Sequence, residues 1–199
     1  MRMLRLSSIV VPLISVIIII VIYINSVKVF QPEKVYPNRV HKTLFLDRYF
    51  TQDEVALITI AALEWSAATK NIVTFDVVAL PQEKVVVTEN DIMIMNISPD
   101  HPLVLILDDN NKYSTLGYYD ESFPVPIIYL VADRINSKEY VTVVLHELGH
   151  ALGLEHNENI WEVGTLMYPN LDFGSKHITP YDLKKFCKLY HCNANKLKN

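Results

Sequence analysis

The sequence predicts an α+β domain preceded by a separate apolar segment. Three observations carry this reading. Short apolar runs of strand length alternate with turn signals between residues 41 and 131. Helix-opening signals at Thr51 and Thr179 bracket those runs. The chain has 199 residues, half of them hydrophobic and a fifth charged, enough for one domain with a core plus a terminal appendage.

Taken in order, residues 41–50 suit a first strand centred on Leu44, Phe45 and Leu46. Thr51 and Glu54 form a capping box, and the helix they open runs to about Lys70. Val55, Ile58, Ala62 and Trp65 share its inward stripe, continued by Ala68 or Thr69. Residues 73–80 and 84–88 read as strands about a turn at Pro81 and Gln82. Residues 91–97 and 103–107 read as two more, with Met93 and Met95 as core fillers. Asp108, Asp109, Asn110 and Asn111 make the best calcium-loop candidate, but EF-hand spacing is missing and a surface turn is the simpler reading. An aromatic, partly extended segment at 116–119 and an apolar strand at 127–131 follow. Asn136 and Glu139 then open a central helix over 138–152, with Val141, Val144, Leu145, Leu148 and Leu152 inward. Thr179, Pro180 and Asp182 cap the last helix.

The ends differ from the body. Residues 6–27 carry no charge, and as a helix would span roughly 33 Å, enough for a bilayer core. Arg2 and Arg5 precede them, so the positive-inside rule places the rest of the chain outside the cytoplasm. The long apolar run without a good cleavage site reads as an uncleaved signal-anchor, with secretion after cleavage as the alternative. The expected organisation is an anchor at 1–28, a linker at 29–40, a catalytic domain at 41–192 and a basic tail at 193–199. Residues 31–182 hold ten basic and 22 acidic groups, about −12. That charge reads foremost as a solvated surface, and it also suits basic substrates or calcium. No basic patch with interleaved aromatics points to nucleic acid, and a monomer is expected. Cys187 and Cys192 are placed to pair if the last helix ends near His191, and the spacing leaves free thiols equally open.

The chemistry concentrates in residues 146–156, His-Glu-Leu-Gly-His-Ala-Leu-Gly-Leu-Glu-His. His146 and His150 lie four apart, so a helix stacks them on one face, where they suit one zinc ion. Glu147 sits beside the first ligand as a general base. Gly153 permits the left-handed turn that brings His156 round as third ligand. Three protein ligands leave a fourth position for water, as catalytic zinc sites do.

The eleven-residue motif, with Met167, Tyr168 and Pro169 after it, resembles the metzincin zinc endopeptidases. The run Thr165-Leu166-Met167-Tyr168-Pro169 is most similar to the matrixin branch. The resemblance covers roughly residues 41–190 and implies a twisted mixed sheet of about five strands with three helices. It further implies a zinc cleft between an upper and a smaller lower subdomain, a Met-turn with Met167 beneath the imidazoles, and one catalytic zinc. Leu116, Gly117 and Tyr118 fall where matrixins place the strand that pairs with substrate. Tyr168 and Pro169 are further candidates for binding substrate, and the S1′ wall is expected near residues 170–177. The implied reaction is peptide-bond hydrolysis by a zinc-bound water with Glu147 as base; a silent zinc-stabilised binding module on the membrane, or a zinc hydrolase acting on something other than peptides, are the alternatives. The chain departs from the family pattern in four places. No cysteine precedes the motif, so no cysteine switch is expected. Only His41 and His101 lie upstream of it, so no second zinc is expected. Asn157 stands where matrixins carry serine, and Tyr168 directly follows the methionine, so no tyrosine ligand is expected. Glu155, His101 and His177 read as surface residues.

Overall fold

The computed structural model describes residues 39–79, 87–110, 114–157, 159, 161 and 163–197. The anchor at 1–28 and most of the linker lie outside them; among the described residues no helix is long and apolar enough to cross a membrane.

Five strands form one mixed sheet, ordered β2-β1-β3-β5-β4. They are β1 (Val40–Leu46), β2 (Val73–Ala79), β3 (Ile92–Asn96), β4 (Gly117–Asp120) and β5 (Ile127–Leu130). β1, β2, β3 and β5 run parallel, and β4 closes one edge antiparallel to β5, with Gly117 opposite Leu130. Leu44, Leu46, Ile92, Ile94, Ile128 and Leu130 are fully buried, and β-branched isoleucines at three of those positions suit a pleated core surface.

The helices are α1 (Gln52–Ala68), α2 (Pro102–Asn110), α3 (Tyr140–Ala151), α4 (Pro180–Leu189) and a short α5 (Ala194–Leu197). The Thr51–Glu54 box forms as expected: Thr51 Oγ1 accepts from Glu54 N, and Thr51 N donates to Glu54 Oε2 at 2.7 Å. α1 buries Ile58, Ala61, Ala62 and Trp65, while Val55 is only half-buried. Trp65 is fully buried, donates from Nε1 to Leu145 O at 2.9 Å and lies 6.2 Å from the Phe186 ring. One tryptophan therefore fixes the contact of α1, α3 and α4.

Several expectations need correction. Residues 103–107 are helical, inside α2, not a strand. Asp108 to Asn110 are the end of that helix rather than a turn, and Asn111 lies outside the described residues. The Asp108 carboxylate instead accepts from Thr115 N at 2.7 Å and pairs with Arg134 at 2.7 Å. There are five helices, not three, among the described residues. α3 starts at Tyr140, and Asn136 makes an Asx turn before it, accepting from Lys138 N and Glu139 N. α3 is buried almost all round, yet Val141 is only half-buried. Residues 84–86 lie outside the description, and Val87 and Thr88 are not strand. The Thr179–Asp182 cap and the left-handed backbone of Gly153 (φ 88°) stand as expected. α4 ends at Leu189, His191 turns left-handed, and Cys187 bonds Cys192.

Candidate metal centre

α3 carries His146, Glu147 and His150 toward a cavity of about 790 Å³. The helix then stops in a Schellman arrangement: Gly153 N donates to His150 O at 2.8 Å, and Leu154 N to Gly149 O at 2.9 Å. The released chain brings His156 back. The three Nε2 atoms lie 3.0 Å (146–156), 3.2 Å (146–150) and 3.1 Å (150–156) apart.

The tautomers are set from behind. His146 Nδ1 donates to Leu166 O at 2.8 Å, and His150 Nδ1 to Leu154 O at 2.8 Å. Both Nε2 atoms are then lone-pair acceptors facing each other, with no proton between them. Such an arrangement suits a cation. A tetrahedral zinc with Zn–N bonds of about 2.0–2.1 Å holds its nitrogens roughly 3.3–3.4 Å apart, close to these spacings. Burial and the neighbouring imidazoles push His146 down to about 3 and His150 to about 4, so both are neutral, the ligating form. Burial pushes Glu147 up to about 8, and no side chain supplies it a countercharge. A divalent cation beside it would supply one. The residues present fit zinc.

The floor is built by close packing. Met167 is fully buried, and a Cβ at Gly149 would overlap its Sδ. The turn carrying Met167 is held by Asp182, itself fully buried. Asp182 accepts from Leu166 N at 3.1 Å, Met167 N at 3.3 Å and Thr179 N at 2.8 Å. Asn157 ties the third histidine to the same turn. Its N donates to Met167 O at 2.8 Å, its Nδ2 to Thr165 Oγ1 at 2.7 Å, and its Oδ1 accepts from Lys185 Nζ.

Leu116, Gly117, Tyr118, Tyr168 and Pro169 all line the cavity, as expected from the sequence. A Cβ at Gly117 would come within 2.6 Å of Glu147 Oε1, so the strand passes directly over the carboxylate. Tyr119, missed in the sequence, stacks on His150 at 6.4 Å. Leu171 and Asp172, within the expected boundary at 170–177, line the cavity, and Glu139 and Val143 line it without having been expected there. Val143 and Glu139 precede His146 by three and seven residues, a helical stripe that was there to be read. Asp182 was read only as a cap. The remaining candidates stay away from the centre. His41 bonds Thr74 Oγ1 and Asp76, His101 accepts from Leu103 N, and His177 lies 3.5 Å from Glu64. Glu155 is exposed.

The Matrixin family model matches residues 47–191, nearly three-quarters of the chain. The chain belongs to the matrixin family. It is accordingly a zinc-dependent metallopeptidase of the metzincin type, and the three-histidine cluster fits the family's zinc site. No curated protein sequence matches this matrixin. Archaemetzincin from Methanopyrus kandleri aligns with TM-score 0.50 at 11% identity, over 78% of this chain and 97% of that one, a likeness of fold. Metalloproteinase-II from Bacteroides fragilis aligns with TM-score 0.43 at 13% identity, over 80% of this chain and 55% of that one. Myroilysin aligns with TM-score 0.38 at 18% identity, over 63% and 53%.

Proposed function

We propose that this matrixin is an endopeptidase with His146, His150 and His156 as the ligands of one catalytic zinc and Glu147 as general base. The observation that supports it most is the convergence of three imidazole nitrogens beside a buried carboxylate on an open cavity. Bound zinc supplies a Lewis acid that acidifies a water and polarises a carbonyl. Glu147, 6% exposed and without a hydrogen-bond partner among the described residues, takes the proton of the attacking water. It then hands that proton to the leaving amine. Met167 supports the imidazoles from below.

β4 ends the sheet, and no described strand pairs with its outer side. An extended peptide laid along residues 116–120 would add one more strand, which fits Leu116, Gly117 and Tyr118 as one wall. Tyr168 and Pro169 form the other. Binding through backbone needs no chain terminus, which is why an endopeptidase is favoured. The domain proposed is residues 41–192, with 1–28 as a single-pass anchor that keeps it outside the cytoplasm and 193–199 as a basic tail; this rests on the uncharged run at 6–27.

The test is a quenched peptide blocked at both ends, offered to the full chain in detergent. Cleavage that o-phenanthroline and Glu147→Ala each abolish supports the endopeptidase. Bound zinc without cleavage of any peptide would sink it in favour of a silent binding module. Cutting of free-ended peptides alone would leave an exopeptidase.

A further inference from the structure

We propose that the cavity selects a lysine or arginine on the side of the scissile bond bordered by residues 170–177, which the matrixin resemblance makes the leaving-amine side, with Glu139 and Asp172 as its specificity residues. The proposal rests on the peptidase reading above and adds its substrate class.

The geometry comes from helix phase. Glu139 precedes His146 by seven residues, so it lies within about 20° of the same helix face and roughly 10.5 Å back along the axis. Val143 stands between them, and all three line one cavity. Across from this stripe the loop after Pro169 contributes Leu171 and Asp172. From the histidines outward, the wall therefore reads metal ligand, aliphatic waist, carboxylate. A lysine or arginine has the matching sequence: an aliphatic stem of about 6 Å and a cation at its tip. A leucine would fill the waist and leave the carboxylates unmet.

The charges agree. Among the described residues no lysine or arginine lines the cavity. Lys138 and Lys176 are the nearest cations in sequence, and both are exposed and outside the lining. Glu139 is half-buried, and its Oε2 accepts from Asn136 Nδ2, which holds the carboxylate at the head of α3. Asp172 N donates to Asn170 Oδ1 at 2.8 Å, fixing that loop. Independently, the buried Glu147 carboxylate opens into the same cavity with no hydrogen-bond partner among the described residues, so the space is built for a ligand.

The experiment uses the full chain in detergent with zinc and four blocked quenched peptides differing only at P1′: Lys, Arg, Leu and Glu. The expected result is kcat/KM for Lys and Arg at least about tenfold above Leu, with Glu slowest. Glu139→Gln lowers the Lys-to-Leu ratio about tenfold, and Glu139→Lys reverses the order of Lys and Glu. Asp172→Asn, on an exposed loop outside any helix, repeats the test if the Glu139 variants do not fold. Leu cleaved as fast as Lys, or a ratio that neither Glu139→Gln nor Asp172→Asn moves, overturns the proposal while leaving the peptidase standing. No cleavage of any of the four overturns the endopeptidase reading, and this proposal falls with it.

Discussion

At Gly149 hydrogen is the only side chain the fold accepts, because a methyl group would overlap the Met167 sulfur. At Gly117 the obstacle is the Glu147 carboxylate. The two glycines give separable predictions. Gly149→Ala forces the floor away from the imidazoles, so zinc affinity and Tm both fall, the latter measured by differential scanning calorimetry at fixed zinc. Gly117→Ala strains only the strand over the base, so kcat/KM falls while zinc stoichiometry by atomic absorption is retained. Zinc lost from Gly117→Ala would contradict that division. Glu147→Gln keeps shape and metal but removes the base, and kcat drops by about 10²–10⁴-fold.

At the scale of elements, α4 and the Met-turn share one carboxylate. Asp182→Asn weakens charge-assisted hydrogen bonds to three backbone N–H groups, costing roughly 1–3 kcal/mol in urea unfolding, with zinc affinity falling in parallel. α2 has its own tie. The Thr115 N–H, and then the Arg134 guanidinium, hold the Asp108 carboxyl below the usual range. The tie therefore contributes stability above the unfolded carboxylate value and loses it as pH falls through the folded one. Protection factors in α2, corrected for the intrinsic pH dependence of amide exchange, are expected to be lower near pH 3 than near pH 6, and Asp108→Asn to remove the difference. These ties also mark what the sequence disclosed. Both capping boxes were legible because a cap is written within four residues. The run at 103–107 was not, because five apolar residues in a row carry no period that separates strand from helix. Pro102 just ahead of it was the overlooked signal, since proline favours the first turn of a helix. The three-histidine cluster was legible because its spacing is itself the geometry. The hold of Asp182 on the Met-turn was not, because that contact joins segments that only the fold brings together.

For the whole molecule, zinc acts as a folding ligand as well as a catalytic one. With free zinc at 1,000 times its Kd, the bound state gains about 4 kcal/mol, so EDTA lowers Tm by several degrees in a scanning experiment. An unchanged Tm would place zinc outside the folding equilibrium. The Cys187–Cys192 bond closes a separation of only five residues and contributes about 2 kcal/mol by chain entropy. Replacing both cysteines by serine lowers Tm by about 4–8 °C without touching the cleft. Asp182 has one more consequence, for a chain still being made. The three histidines emerge from the ribosome before residue 182 does. Until then the turn bearing Met167 has neither the buried carboxylate nor α4 to hold it, and the imidazoles stand over an unfinished floor. The metal centre of a nascent chain is thus complete only once α4 docks.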